Sequence, residues 1–249
     1  MSRSKYIPVM MFVFVAVLLI GTAGCTATVS DSGCEALEDE LERANAELAK
    51  LRSELGKVDA GVATASLEEL LQQRRSIREY VGAPLTREEV MKLLWAGQGI
   101  TSGRGFRTAP SAGALYPLEL YLVAGDVDDL APGIYKYNPA KDELALVKEG
   151  DVRASLAAAS LGQRSVADGA IDIVVAAVYD RTKVKYGSRG ERYVHIEVGH
   201  AAQNICLEAT ALGLGLVTVG AFDDAEVAKT VGMSQDESPL YVIPVGRIN

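Results

Sequence analysis

Hydrophobic and polar positions along the chain follow three successive patterns. From Tyr6 to Gly24 no charge interrupts an apolar run. In CEALEDELERANAELAKLRSELGKV, Leu37, Leu41, Ala44, Leu48, Leu51 and Leu55 recur at alternating spacings of four and three. That alternation is a heptad seam. From Ser66 onward, stretches of period two and period 3.6 are interleaved. LELYLVAG, GIYKYNP, ELALVKEG, AIDIVVAAVYD, GLVTVGAF and LYVIPVG are β-rich runs bounded by Gly, Pro or Asp, and predict strands. SLEELLQQRR follows a Ser cap, TREEVMKLLWAGQG opens with Thr86 and Glu89 as a capping box, and DDAEVAKTVG is a short capped segment; all three predict helices. ERYVHIEVGHAAQNICLEATALG is apolar around much of its circumference, as a helix in the middle of a domain must be. Helices and strands mix without a βαβ repeat, so the fold class is α+β with a mainly antiparallel central sheet.

The first two patterns divide the chain. Arg3 and Lys5 precede the apolar run, and TAGC closes it at Cys25. Residues 1–25 therefore read as a signal peptide or lipoprotein anchor, with Cys25 as the lipidated residue or, alternatively, with the run retained as a membrane span. Thr22 stands where lipoprotein boxes usually carry an aliphatic residue. Basic residues before the run stay inside, which predicts a membrane-anchored chain with its globular domain outside the cytoplasm. Residues 34–57 read as a coiled-coil stalk in which Glu47 at g and the following Arg52 at e would pair across a parallel dimer. Only about three heptads are present, so the stalk needs a dimeric domain to help it associate. Cys34 counts to an a position, where two copies could form an interchain disulfide in an oxidising compartment. Residues 58–65 form a small-residue linker, and 66–249 the globular domain.

Charge and cysteine usage remove several functions. The 249-residue chain carries a net charge of −8, and a nucleic-acid surface needs a basic excess. Its three cysteines are scattered, without a metal-ligand spacing. His195, Glu197 and His200 occur in HIEVGH, but residues five apart on a helix sit about 140° apart around the axis, so a two-histidine zinc site is not predicted. These three read instead as helix residues lining an interface. No GxSxG nucleophile is present, and Cys206 lies among apolar neighbours.

What remains is a set of weak signals in a fixed order. RRSIR places Arg74, Arg75, Ser76 and Arg78 at a helix end, with guanidinium forks suited to phosphate. PSAGALYP follows, then the GHAAQN helix, then GLGLVTVGAFD with its glycine turn before a helix start, and finally PVGR. In this ordered set, residues 67–249 resemble the flavin-dependent nitroreductase family, and within it the SagB-type dehydrogenases.

The resemblance implies an α+β domain acting as an intertwined homodimer with FMN at the subunit interface. It implies that Arg74, Arg75, Ser76 and Arg78 hold the phosphate and ribityl chain, that Arg247 closes on the phosphate, and that Gly220 and Ala221 pass their backbone beside the flavin. Pro110, Ser111 and Gly113 would contact the flavin from the partner subunit. Tyr116 follows the SagB-type version of a position that is often Gln in the wider family. The small residues of PSAGA then have a reason: they let backbone approach a planar cofactor that supplies the reactive atoms. Lys185 and Tyr186, in what reads as a loop before the central helix, match the Lys-Tyr pair that SagB-type enzymes use in catalysis; a surface loop with a snorkelling lysine is the competing reading. Arg181 and Arg189 in the same segment suit either an acidic substrate or solvation.

The expected activity is FMN-dependent hydride transfer to or from an unidentified substrate. Azoline oxidation in peptides, which the SagB type implies, belongs in the cytosol beside a cyclising enzyme, whereas this chain carries an export anchor. Reduction of nitro compounds or quinones by NAD(P)H and a non-catalytic flavin-binding envelope lipoprotein are the alternatives.

Overall fold

A computed structural model describes residues 41–47, 50 and 65–249. Residues 41–47 are helical and exposed. The proposed anchor, Cys25, Cys34 and the linker lie outside the described residues, as does most of the stalk. Among the described residues no helix is long and apolar enough to cross a membrane. Thr64–Asn249 forms one compact unit.

Its elements are α1 (Leu67–Gln73), α2 (Arg87–Gln98), a 3-10 turn (Ala112–Ala114), β1 (Leu118–Ala124), β2 (Gly133–Asn138), β3 (Glu143–Glu149), α3 (Arg153–Ala159), α4 (Arg164–Asp168), β4 (Ile171–Ala177), α5 (Tyr179–Tyr186), α6 (Arg189–Ala211), β5 (Leu214–Leu216), α7 (Asp224–Val231) and β6 (Ser238–Arg247). The strands form one sheet in the order β3-β2-β1-β4-β6-β5. Every neighbouring pair is antiparallel, in line with the predicted class.

Period two along the central strands builds two cores. Leu118, Leu120 and Leu122 of β1 and Ile171, Ile173 and Val175 of β4 face one cluster, completed by Leu93 and Leu94 of α2 and Val194, Ala201 and Ile205 of α6. Tyr121 and Val123 of β1, Val174 and Ala176 of β4 and Val242 of β6 face the other, covered by Leu156 of α3, Val166 of α4 and Val227 and Val231 of α7. Burial on both faces is why β4 is apolar throughout except for the buried Asp172, rather than alternating. The long helix α6 crosses the first face, and the site is organised along it.

The predicted capping box at Thr86 forms, and the predicted Ser66 cap is itself part of a second box. The Ser66 hydroxyl accepts from the Glu69 N–H and the Glu69 carboxylate from the Ser66 N–H; Thr86 and Glu89 repeat this at α2. Three predictions need correction. Only Gly215 and Leu216 of GLVTVGAF join the sheet, in a strand that starts one residue earlier at Leu214, after which Val219 keeps a single bridge to Val242. The segment carrying Lys185 and Tyr186 is the helix α5, not a loop. Residues 153–168 hold α3 and α4, which are too short and alanine-rich to show a readable period.

Candidate active site

The sequence-predicted residues fall into two groups along α6. Beside its later turns, Arg74, Ser76, Gly199, Gln203, Thr218 and Tyr241 line a groove of about 170 Å³. Arg74 caps the end of α1 and is half-buried. From there the chain runs extended, so that Ser76 bridges to Leu216 and the Ile77 N–H donates to the Leu216 carbonyl at 2.8 Å. This pairing lays Arg74 and Ser76 against the open side of β5. Among the described residues Arg74 makes no ion pair. A half-buried guanidinium with hydroxyl and amide neighbours is a donor-rich cradle for an oxyanion.

The remaining arginines of RRSIR point elsewhere. Arg75 donates to the carbonyls of Gln72 and Arg74, each at 2.8 Å, and is exposed. Arg78 lines a separate hollow with Tyr80, Gln163 and Arg164. Gly220 and Ala221 are exposed, and the Gln163 amide donates to the Ala221 carbonyl at 2.9 Å.

Arg247 is not brought to the groove. Its Nη1 and Nη2 donate to the two Glu89 oxygens at 2.9 and 2.8 Å, and its Nε donates to the Pro84 carbonyl at 3.1 Å. Every nitrogen of the guanidinium is thereby engaged. Burial pushes the Glu89 carboxyl up, but the Thr86 N–H and the Arg247 guanidinium more than offset this and hold it below its ordinary value. The ion pair ties the end of β6 to the start of α2.

The second group surrounds the loop 110–116. Gly113, Ala114 and Tyr116 all take positive φ, at 67°, 54° and 47°. Three such residues in four make a tight reversal, and only Gly113 adopts it without steric cost. The turn is pinned where the Tyr116 N–H donates to the Ser111 hydroxyl at 2.9 Å and the Arg107 N–H donates to the Tyr116 hydroxyl at 3.2 Å. Helix α5 lies along this loop. A Cβ placed on Gly113 would sit 2.9 Å from the Tyr186 hydroxyl and 3.0 Å from Lys185 Nζ. Four residues earlier on α5, an Arg181 Nη donates to the Tyr116 carbonyl at 3.2 Å. The missing side chain of Gly113 thus leaves the space that the Lys-Tyr pair closes over, and Pro110 and Gly113 themselves remain exposed.

The central helix adds a residue that sequence reasoning had set aside. Glu197 is 3% exposed, and its Oε1 has no hydrogen-bond partner. Burial raises its carboxyl to about 7, with Ser111 and the charge of Arg107 pulling the other way. A carboxylate within an apolar helix face was the available signal. His195, by contrast, is exposed and shares a 2.7 Å hydrogen bond with the Tyr179 hydroxyl.

Residues 71–247 match the Nitroreductase family. The chain belongs to that family. It is therefore an oxidoreductase of a family whose enzymes use a flavin, and the antiparallel α+β architecture is the family's fold. A Methanocaldococcus jannaschii protein named as a nitroreductase, MJ1384, is 48% identical over 181 residues, covering 73% of this chain and 90% of that protein. The trifolitoxin operon protein TfxC of Rhizobium leguminosarum bv. trifolii is 26% identical over 208 residues, which are 77% of this chain and 58% of TfxC. In the solved Escherichia coli microcin synthetase McbBCD complex with truncated pro-MccB17, one chain is 25% identical with a TM-score of 0.65, over 77% of this chain and 73% of that one. The last two relatives support the SagB-type resemblance.

The residues present fit a flavin nucleotide. The Arg74 groove offers an anion cradle, and the small, exposed residues Pro110 and Gly113 leave backbone accessible beside Lys185 and Tyr186. At about 170 Å³ the groove suits a phosphate and part of a polyol chain rather than a tricyclic ring system.

Proposed function

We propose that this protein is an FMN-dependent oxidoreductase of SagB type, with Arg74 and Ser76 holding the phosphate end of the cofactor and Pro110, Ser111 and Gly113 bordering the ring. The observation that carries the reading is the packing of Tyr186 and Lys185 over Gly113. Two proton-bearing groups are held against one point of the backbone, beside the exposed Pro110 and Gly113 along which a planar cofactor can lie. FMN bound there supplies the redox chemistry by accepting or giving a hydride. The chain's own part is to position and protonate. The Tyr186 hydroxyl and the Lys185 ammonium hold or move the proton that accompanies a change in the substrate, and the pinned 111–116 turn fixes where they stand. Arg247 is left out of the cofactor contacts because Glu89 and Pro84 hold its guanidinium by three hydrogen bonds away from the Arg74 groove.

The small groove and the separate Gly113 loop favour a homodimer in which each cofactor is completed by the second copy. The domain would be tethered outside the cytoplasm by residues 1–25 and spaced from the membrane by residues 34–57. Protease digestion of intact and opened cells tests this topology, and protection of the globular domain in permeabilised-envelope cells would reject it. The cofactor assignment is tested by the absorbance spectrum of the purified full chain and the mass of the heat-released group. A yellow protein releasing FMN, reduced and reoxidised with turnover, is the expected result. A protein that takes up no FMN removes the assignment, and flavin that binds but never cycles leaves a binding protein rather than an enzyme.

A further inference from the structure

Next to the Lys-Tyr site lies a larger cavity, of about 450 Å³, whose chemistry is set by Gln98, Arg107, Glu119, Lys136 and Arg181. It is floored by β1 and β2 and shares two residues' worth of structure with the candidate active site. Arg181 lines it while donating to the Tyr116 carbonyl, and Arg107 lines it with its guanidinium 4.7 Å from the Tyr116 ring centroid. Because Arg181 and Lys185 are four apart on α5, they lie on one helix face, one over the cavity and one over Gly113.

The cavity has more donors and more positive charge than the protein itself uses. Glu119 takes Arg181 at 2.5 Å and Lys136 at 3.4 Å, and Lys136 also meets Glu237 at 2.5 Å. Arg107 makes no ion pair among the described residues; its Nη1 donates to Gln98 Oε1 at 2.5 Å. Arg107, Arg181 and Lys136 face the carboxylates of Glu119 and Glu237; Glu197, the third carboxyl near Arg107, is raised to about 7 by burial, and while it holds its proton one positive charge stays uncompensated. Gln98 supplies an independent sign of a missing ligand. It is 1% exposed, and its Nε2 has no hydrogen-bond partner. The orientation of this amide is fixed, because its oxygen must face the guanidinium, so the unpaired group is a donor. A buried donor left unpaired is destabilising, and an acceptor arriving with a ligand would remove that cost.

We propose that this cavity is a carboxylate-recognition pocket, and that the substrate carries a single carboxylate which Arg107, Arg181 and the Gln98 amide bind while the reacting part reaches Tyr186. The claim about substrate rests on the proposed oxidoreductase reading; the claim about the pocket does not. One negative charge matches the one left over, and the remaining N–H groups of the two guanidiniums suit a planar carboxylate.

Calorimetric titration of hexanoate into the full chain in detergent tests this, with hexanamide as the uncharged control and flavin absorbance recorded on the same sample. Saturable binding of hexanoate without binding of hexanamide is expected, weakened about tenfold or more in Arg181→Gln and in Gln98→Met, as loss of a charged or buried hydrogen bond implies. Arg181 is partly exposed, so its replacement spares the core, and a melting curve for each variant checks folding. Hexanamide binding as tightly as hexanoate, no binding of either, or hexanoate affinity unmoved in both variants would overturn the pocket. Hexanoate binding to a protein that cannot take up flavin would uphold the pocket and count against the oxidoreductase reading alone.

Discussion

The Tyr186 hydroxyl stands 2.9 Å from where a Cβ on Gly113 would be, so the absence of a side chain at Gly113 is what lets that hydroxyl sit against the loop. The first prediction follows from that contact. Gly113→Ala places a methyl against Tyr186 and Lys185 at a backbone φ of 67°. The strain alone costs about 1–2 kcal/mol, and the displaced Tyr186 loses its place over the loop. A lower melting temperature together with reduced turnover is expected; unchanged turnover would mean that Tyr186 is not positioned by this contact.

Tyr186→Phe keeps the ring that packs edge-on against Tyr193 at 4.9 Å and removes only the hydroxyl. Lys185→Met keeps the apolar stem. If the pair handles the substrate proton, each change lowers turnover by about 10²–10⁴-fold while flavin content and melting temperature hold. A loss of flavin in parallel with activity would instead make them binding residues, and full activity in both variants would remove them from the mechanism.

How much of this was legible in the sequence depends on the range of the interaction involved. The Ser66 cap, the Thr86 capping box and the β-rich runs of β1 and β4 are local, and each forms where the residues predict. The order of the strands is not local: β4 lies between β1 and β6 with both faces buried, and nothing in the run itself names its neighbours. The Lys-Tyr pair was readable only as a motif, since its partner Gly113 is far away in the chain and the helix that carries it is polar and short. Arg247 shows the reverse. A terminal arginine after PVG suits a phosphate, but the same Glu89 that caps α2 reaches it first, a competition that only the folded chain displays.

That competition makes Arg74 and Arg247 separable. Arg247→Met breaks a bidentate pair with a partly buried carboxylate, leaving Glu89 with its cap but without its cation. A stability loss of about 1–3 kcal/mol is expected, with flavin content preserved. Arg74→Met removes a guanidinium without an internal ion pair, so stability should hold while flavin is lost. Urea unfolding and flavin absorbance on the two variants check this. Retention of flavin by Arg74→Met with its loss from Arg247→Met would restore the terminal arginine as the phosphate ligand.

Glu197 gives the pH dependence. Its carboxyl is raised from 4.5 to about 7 by burial, so the native state holds a proton that the unfolded chain releases in this window. Native protein then binds more protons than unfolded protein, and stability falls as pH rises from 4.5 towards 7, levelling off above it. At about 1.4 kcal/mol for each unit, the whole change is on the order of 3 kcal/mol. Asp172 is also fully buried and is held well above its ordinary value, so wild-type stability alone would mix the two groups. The difference between wild type and Glu197→Gln isolates one of them. The two proteins should be equally stable near pH 4 and diverge as pH rises, with the glutamine variant the more stable at pH 8. Parallel curves for the two proteins would mean that Glu197 ionises in the fold as it does in water, and that Ser111 faces a charged carboxylate at neutral pH.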